Sequence, residues 1–168
     1  IVEGFRARDT TILATNVLLC PRSPMTACFQ LSACAEMLWP EKRLGWRVRR
    51  LKALGFGVGL WRWPDHDLDD LERSGANFTI MNGYLRGRLG DEAGADALLQ
   101  SAYETAQIGK RLGVARLNLH GTGLGDFGLP TPQVGAFAPG MALRARDTLS
   151  RICDMAEAEG VIFTLENL

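Results

Sequence analysis

Residues 161–168, VIFTLENL, decide how we interpret the fold of this chain. They follow Gly160 and are apolar or β-branched as far as Leu165, after which Glu166 and Asn167 bring a carboxylate and an amide. A short apolar run after a glycine predicts a fully buried parallel strand. In α/β barrels the C-terminal ends of such strands carry the chemistry. Glu166 is therefore our first candidate for a functional residue.

The same succession of apolar strand, helix and glycine occurs four times upstream of this segment. The predicted strands are 29–34, 57–63, 77–81 and 114–119, and the predicted helices are 44–54, 67–74, 95–112 and 141–159. Such alternation indicates right-handed βαβ units and a parallel sheet. A doubly wound open sheet and a half-complete (β/α)₈ barrel both satisfy this pattern, and periodicity alone does not separate them.

Length and composition indicate one ordinary α/β domain. The 168 residues are 46% hydrophobic and 23% charged, and 19 basic residues balance 19 acidic ones. Zero net charge disfavours a broad electrostatic surface for nucleic acid. No segment is long and apolar enough for a membrane span, and the four cysteines show no CxxC pair, which favours free thiols in a reducing cytosol. We predict a cytoplasmic protein with no nucleic-acid or membrane partner.

Residues 1–25 show no sustained periodicity, and PRSP interrupts any element before Met25. We predict that 1–25 form a poorly ordered arm or lie outside the domain, and that 26–168 belong to the domain. Because the chain begins with Ile1 and ends inside a predicted strand, we expect a fragment of a longer product.

Residues able to bind a ligand follow every predicted strand. In a parallel barrel these positions converge on one mouth, so residues far apart in the sequence can meet. They are Glu36, Trp61, Trp63, Asn82, His120 and Glu166.

Each candidate also has a structural explanation. His120 either hydrogen-bonds a loop or contacts substrate or metal, and its place before a glycine-rich loop favours the second. Trp61 either packs in the core or forms an aromatic wall for a small polyol. Arg86 either forms bidentate hydrogen bonds with an anionic group of a ligand, such as a carboxylate, or is solvated. His66 lies in an acidic turn, PDHD, where we expect it to be solvated.

The predicted burial of Glu166 limits its possible roles. Burying a carboxylate without partners costs too much free energy, so Glu166 must be paired, hydrogen-bonded or bound to a cation. Its own segment offers no obvious partner, which favours metal binding or acid–base work.

Five segments together carry a resemblance to a known family. LSACAEMLWPE, GFGVGLWRWPDHDLDDL, MNGYLRGRLGDE, LGVARLNLHGTG and EGVIFTLENL resemble the xylose isomerase-like (β/α)₈ TIM barrels, and within them the hydroxypyruvate isomerase group. The resemblance covers about 29–168. It implies that the chain contains the first four βα units and strand five of such a barrel.

The resemblance also implies a site. A divalent metal, Mg²⁺ or Mn²⁺, would be held by Glu, Asp, His and Glu of the later strands; Glu166 matches the first ligand and one of two proton-transfer glutamates. The other ligands would lie beyond Leu168. His120 matches a strand-four position that commonly faces substrate, and Arg86 lies in a loop like one bordering the mouth. Leu60 stands where the family often has a glutamate, which bears on the substrate.

The expected activity is a metal-dependent isomerase that interconverts a small hydroxy-carbonyl acid or sugar through an enediolate. Substrate contacts are expected from His120, Asn82, Trp61 and Arg86, and homo-oligomerisation is left open. A ketose 3-epimerase is the alternative in chemistry, and an inactive truncated fragment is another. An apurinic endonuclease would need further histidines, and the chain has two.

Overall fold

The computed structural model of the protein describes residues 30–131 and 139–166. The predicted arm 1–25 and the thiols of Cys20 and Cys28 lie outside these residues. Within them, Cys34 and Cys153 are free thiols, as expected. None of the described helices is both long enough and apolar enough to cross a bilayer.

Within residues 30–131 and 139–166, five strands alternate with four helices. The strands are β1 Ser32–Cys34, β2 Gly57–Leu60, β3 Phe78–Asn82, β4 Arg116–Leu119 and β5 Ile162–Leu165, and the helices are α1 Leu44–Ala53, α2 Leu68–Arg73, α3 Glu92–Leu112 and α4 Met141–Glu159. Short 3₁₀ turns occupy Ala35–Met37, Trp63–Asp65 and Asp126–Gly128.

The sheet is wholly parallel, and its spatial order β1-β2-β3-β4-β5 follows the chain. A doubly wound sheet reverses its strand order at a switch point, whereas a barrel adds each strand beside the previous one. The observed order therefore selects the barrel type of winding. The predicted parallel α/β fold is confirmed, and the carboxyl ends of all five strands lie along one edge.

The core lies between the sheet and the helices. Leu51 of α1, Val58 of β2 and Leu117 of β4 are almost fully buried within one apolar cluster. A second cluster includes Leu98 of α3 and Ile152 of α4. Burial on this scale holds the strand ends in fixed positions, since each fully buried side chain of this size contributes about 1.5–3 kcal/mol.

Element boundaries match the predicted ones where a residue has a definite backbone role. Gly113 and Gly160 end α3 and α4 in the left-handed conformation, with φ of 72° and 69°. The side chain of Asp67 caps α2 by accepting a hydrogen bond from the backbone N–H of Asp70. Helix α3 begins at Glu92, three residues before the predicted start. The sequence pattern missed this first turn because it is largely solvent-exposed and carries no apolar stripe.

The prediction of a fully buried strand at 161–168 is wrong for β5. Ile162 and Leu165 are 51% and 58% exposed. Among the described residues, β5 pairs with β4 alone and is an edge strand. An apolar run reports the capacity for burial, but the actual burial depends on what packs against it.

Candidate active site at the carboxyl edge of the sheet

Glu36, directly after β1, joins the ends of the first two strands. Its carboxylate accepts hydrogen bonds from the backbone N–H groups of Trp61 and Arg62, the second at 2.7 Å. His66 Nε2 lies 2.9 Å from Glu36 Oε1. The side chain of Glu36 is only 17% exposed, so these contacts fix the path of the chain after β2.

The Glu36 carboxylate is held in its charged form. Burial by itself would raise its pKa, but the hydrogen bonds from His66, Arg62 and Trp61 outweigh burial and hold the pKa below its ordinary value. Glu36 is thus an ionised group whose hydrogen-bonding capacity is used within the protein.

The expectation that His66 is solvated is wrong. Its side chain is 21% exposed and pairs with Glu36. The acidic neighbours Asp65 and Asp67 suggested a solvated turn, but the 3₁₀ turn Trp63–Asp65 brings the imidazole to the carboxylate. Sequence reasoning had no local signal for a pair separated by 30 residues.

His120, at the end of β4, is buried without a hydrogen-bond partner. Its side chain is 2% exposed, and neither ring nitrogen is hydrogen-bonded within the described residues. Its Nδ1 lies 3.4 Å from Glu166 Oε2, which is close enough for charge attraction. Burial lowers the pKa of His120, and the opposing attraction of Glu166 does not cancel that effect, so the imidazole is neutral at neutral pH.

Two aromatic rings enclose His120. The ring centroid of Trp61 lies 5.4 Å away at an interplanar angle of 45°, and that of Tyr84 lies 6.3 Å away. Tyr84 is itself fully buried, and its hydroxyl donates to the carbonyl of Thr122 at 2.6 Å. Burial, as the largest effect, raises the pKa of Tyr84 to about 12. The phenol therefore stays neutral and anchors the loop after β4.

Two further buried polar atoms have no hydrogen-bond partner within the described residues. These are the indole Nε1 of Trp61 and the Oδ1 of Asn82, whose Nδ2 donates to the carbonyl of Tyr84 at 2.9 Å. Buried polar groups in native proteins are nearly always hydrogen-bonded, and the exceptions often mark binding or catalysis. The predicted site residues Trp61, Asn82 and His120 all contribute such atoms.

Glu166 follows β5 and is oriented by the neighbouring strand. Asn118 Nδ2 donates to its Oε2 at 2.6 Å, and Asn118 Oδ1 accepts from the hydroxyl of Thr164 at 2.9 Å. The side chain is 47% exposed. The expectation that this carboxylate is buried is therefore wrong, and its hydrogen-bond partner comes from β4 rather than from its own segment. Asn118 was missed, although a polar residue between two buried leucines of a strand was a usable signal.

The structure places Arg86 differently from the other candidates. Its guanidinium forms a two-pronged pair with Glu104 of α3, with N–O distances of 3.0 and 2.8 Å. Trp63 donates to the hydroxyl of Thr105, also on α3, at 3.3 Å and packs against the main core. These two residues are thus engaged with α3, whereas Trp61 contacts His120. A substrate contact by Arg86 stays a prediction.

A cleft of about 590 Å³ is bordered by Trp61. Glu36 and His66 contribute polar lining, and Met37 and Leu129 contribute apolar lining. The candidate site therefore has two parts, a polar one at His120 and Glu166 and this wider cleft.

The metal expectation can be tested on the donor atoms. In residues 30–131 and 139–166 no group of three or more His, Cys, Asp or Glu side chains is placed to hold a metal ion. The carboxylate of Glu166 is 47% exposed, and carboxylate oxygens are ordinary ligands of divalent cations. Glu166 therefore fits as one ligand of a metal site.

Comparison with known proteins concerns the fold. No family model matches the chain, and no curated protein matches it by sequence. The 3-keto-D-glucoside 4-epimerase YcjR from E. coli matches in structure with a TM-score of 0.67 at 19% identity, over 84% of this chain and 57% of the epimerase. The chain has the fold of part of a xylose isomerase-like TIM barrel.

Two other solved structures support this. An L-ribulose 3-epimerase matches with a TM-score of 0.61 at 17% identity, over 81% of this chain and 48% of its own length. The IolI protein, solved with a bound zinc atom, matches with a TM-score of 0.62 at 18% identity, over 83% of this chain and 52% of the IolI chain. The chain spans about half the length of these xylose isomerase-like barrels, and the predicted partial barrel is confirmed.

Proposed function

We propose that this chain contributes to the active site of a metal-dependent isomerase that interconverts small hydroxy-carbonyl acids or sugars. The observation that carries the proposal is the pair formed by His120 and Glu166. A buried, neutral imidazole lies 3.4 Å from an oriented carboxylate at the carboxyl edge of a parallel sheet, and neither of its nitrogens is hydrogen-bonded within the described residues. Active sites of α/β barrels lie at this edge.

Glu166 has the properties of a proton-transfer group. Moving a carbonyl between adjacent carbons requires removal of a weakly acidic C–H proton. Asn118 holds Oε2 in place, and nearly half of the carboxylate is accessible to a substrate. Glu166 would remove or return the proton at one carbon, and a second glutamate, outside the described residues, would serve the neighbouring carbon.

His120 would bind rather than ionise. Because its imidazole is neutral, one ring nitrogen donates and the other accepts a hydrogen bond. Together with Asn82 Oδ1 and Trp61 Nε1, it would orient hydroxyl groups of the substrate. Burial of these partners excludes water from the polyol that they hold.

A divalent cation, Mg²⁺ or Mn²⁺, completes the proposal. When bound, it stabilises the negative charge that develops on the substrate oxygens. Glu166 would supply one ligand, and the proposal assigns the remaining ligands to residues outside those described. The zinc atom in the IolI structure supports a metal in this fold.

A ketose 3-epimerase is the second candidate. The L-ribulose 3-epimerase and a D-psicose 3-epimerase among the matching structures support it. Both reactions need a carboxylate at the Glu166 position, and they differ in whether the proton returns to the same carbon or to its neighbour.

The test is Glu166→Gln, assayed with hydroxypyruvate and with ketoses in the presence of Mg²⁺ or Mn²⁺. We expect turnover to fall by at least about 10²-fold, as for the loss of a general base. Glu157→Gln, at an exposed position of α4, is the matched control. Both variants are made in this chain and in any longer product of the same reading frame. Turnover retained in Glu166→Gln would refute the assignment, and the product formed separates isomerase from epimerase.

A further inference from the structure

The cleft beside Trp61 has apolar walls that are open to solvent. Met37 is 80% exposed and Leu129 is 58% exposed, and both line the cleft together with Trp61 and Cys34. Burial, its largest influence, raises the pKa of the Cys34 thiol, which therefore adds no charge. Apolar side chains concentrated around one concave surface indicate a binding site more than scattered exposed ones do.

The wall formed by Leu129 is built into a short hairpin. Leu124 and Pro130 form an antiparallel bridge, and Gly125 N–H donates to the Leu129 carbonyl at 2.9 Å. At Gly128, φ is +72°, and a Cβ there would lie 3.2 Å from Trp61 Nε1. A glycine at this position thus allows the hairpin to approach the indole closely.

The charged groups of the cleft are engaged with the protein itself. Arg62 Nε donates to Asp65 at 2.7 Å, and the Glu36 carboxylate is bound by His66 and two backbone N–H groups. The guanidinium of Arg47 donates to three backbone carbonyls at 2.6, 3.1 and 2.6 Å. The two guanidinium groups and the two carboxylates cancel in formal charge, and each already makes hydrogen bonds within the protein.

The cleft is larger than a three-carbon acid requires. About 590 Å³ falls within the range of about 300–1,000 Å³ that is typical of pockets for drug-sized ligands. The Trp61 indole, which lines the cleft, also lies 5.4 Å from the His120 ring. The cleft and the His120 side chain are therefore neighbours that share this indole.

We propose that the cleft binds a neutral, apolar substituent, aryl or alkyl, of a larger hydroxy-carbonyl substrate whose polyol part lies at His120 and Glu166. This rests on the proposed function and narrows its substrate class. It disfavours hydroxypyruvate itself and phosphorylated sugars, since the first leaves the cleft empty and the second needs a free cation.

The test compares three probes by calorimetry in the presence of Mg²⁺: 6-O-benzyl-D-fructose, D-fructose and D-fructose 6-phosphate. We expect the benzyl ether to bind at least about tenfold more tightly than D-fructose, as burial of an aromatic ring predicts. The phosphate should give no comparable gain. Met37→Ala and Leu129→Ala should each reduce the ratio of benzyl-ether affinity to D-fructose affinity by about threefold or more.

Leu143→Ala is the matched control, because Leu143 of α4 is 59% exposed and does not line the cleft. Equal binding of the benzyl ether and D-fructose, no binding of the benzyl ether, or insensitivity to both cleft variants would overturn the proposal. Preferential binding of the phosphate would make the cleft an anion site and also overturn it. A benzyl advantage without turnover of any probe would instead refute the proposed function and leave the cleft assignment standing.

Discussion

Replacing Glu36 by glutamine should destabilise the protein measurably. The carboxylate accepts three hydrogen bonds, from the backbone N–H groups of Trp61 and Arg62 and from His66. A hydrogen bond to a charged group contributes about 1.5–3 kcal/mol, and a buried donor without an acceptor carries a desolvation cost of similar size. Glutamine keeps one acceptor oxygen and presents an NH₂ group to the other donors. We expect Glu36→Gln to lower the free energy of unfolding by about 2–3 kcal/mol at pH 7.

The pH dependence gives a second readout of the same change. The folded state holds the pKa of Glu36 below its ordinary value of 4.5. The stability contributed by this group is therefore fully present above pH 4.5 and is lost as the pH falls through the lower pKa of the folded state. The stability difference between wild type and Glu36→Gln should accordingly narrow on acidification.

Urea unfolding followed by far-ultraviolet circular dichroism between pH 7 and pH 3 measures both effects. Glu157→Gln, at an exposed position of α4, is the control and should change stability by less than about 0.5 kcal/mol. In a double-mutant cycle, Glu36→Gln and His66→Gln should be non-additive by at least about 0.5 kcal/mol. A loss below about 0.5 kcal/mol for Glu36→Gln, or a difference that stays constant down to pH 3, would refute the reasoning.

Three further predictions concern residues around the site. His120→Phe removes no hydrogen bond within the described residues, so thermal unfolding should show a stability change below about 1.5 kcal/mol while ligand binding falls; a loss above about 3 kcal/mol would indicate a structural role. Gly87→Ala should lower the free energy of unfolding, measured in urea, by more than about 2 kcal/mol, because φ is +93° and the new Cβ would lie 2.7 Å from Leu98 Cα. Gly55→Ala, where φ is +80° and no atom lies within 4 Å of the new Cβ, should lower it by less. Tyr84→Phe should lower the free energy of unfolding by about 1 kcal/mol and remove, from a spectrophotometric titration, the phenol whose pKa burial raises to about 12.

Much of the fold was predictable from local features. The glycines at 113 and 160 mark helix ends because only glycine adopts the left-handed conformation without strain. The apolar runs between them predict strands, and the regular alternation predicts a parallel sheet. The strand order was not predictable from periodicity, since both ways of winding the sheet use the same βα units. It took the observed pairing of each strand with the next one in the chain to choose between them.

The candidate site was predictable only in part. Residues at strand ends, such as His120 and Glu166, could be proposed because a parallel sheet brings its carboxyl ends together. The pair of Glu36 and His66 could not, since it depends on how the chain turns after β2. Nor could the partner of Glu166 be found by searching its own segment, because hydrogen bonds of a sheet edge cross between strands. Asn118 belongs to the strand that precedes β5 in the chain by a whole helix.

The distribution of satisfied and unsatisfied polar groups divides the site by role. Around Glu36 every named charge has protein partners, so this half can orient Trp61 but has little left to offer a ligand. Four buried polar atoms of His120, Asn82 and Trp61 have no partner among the described residues. Leaving such atoms unpaired costs about 1–3 kcal/mol each, a cost that a ligand carrying hydroxyl groups would offset on binding. In our proposal, these residues therefore bind the polar part of a substrate, and the cleft selects its apolar part.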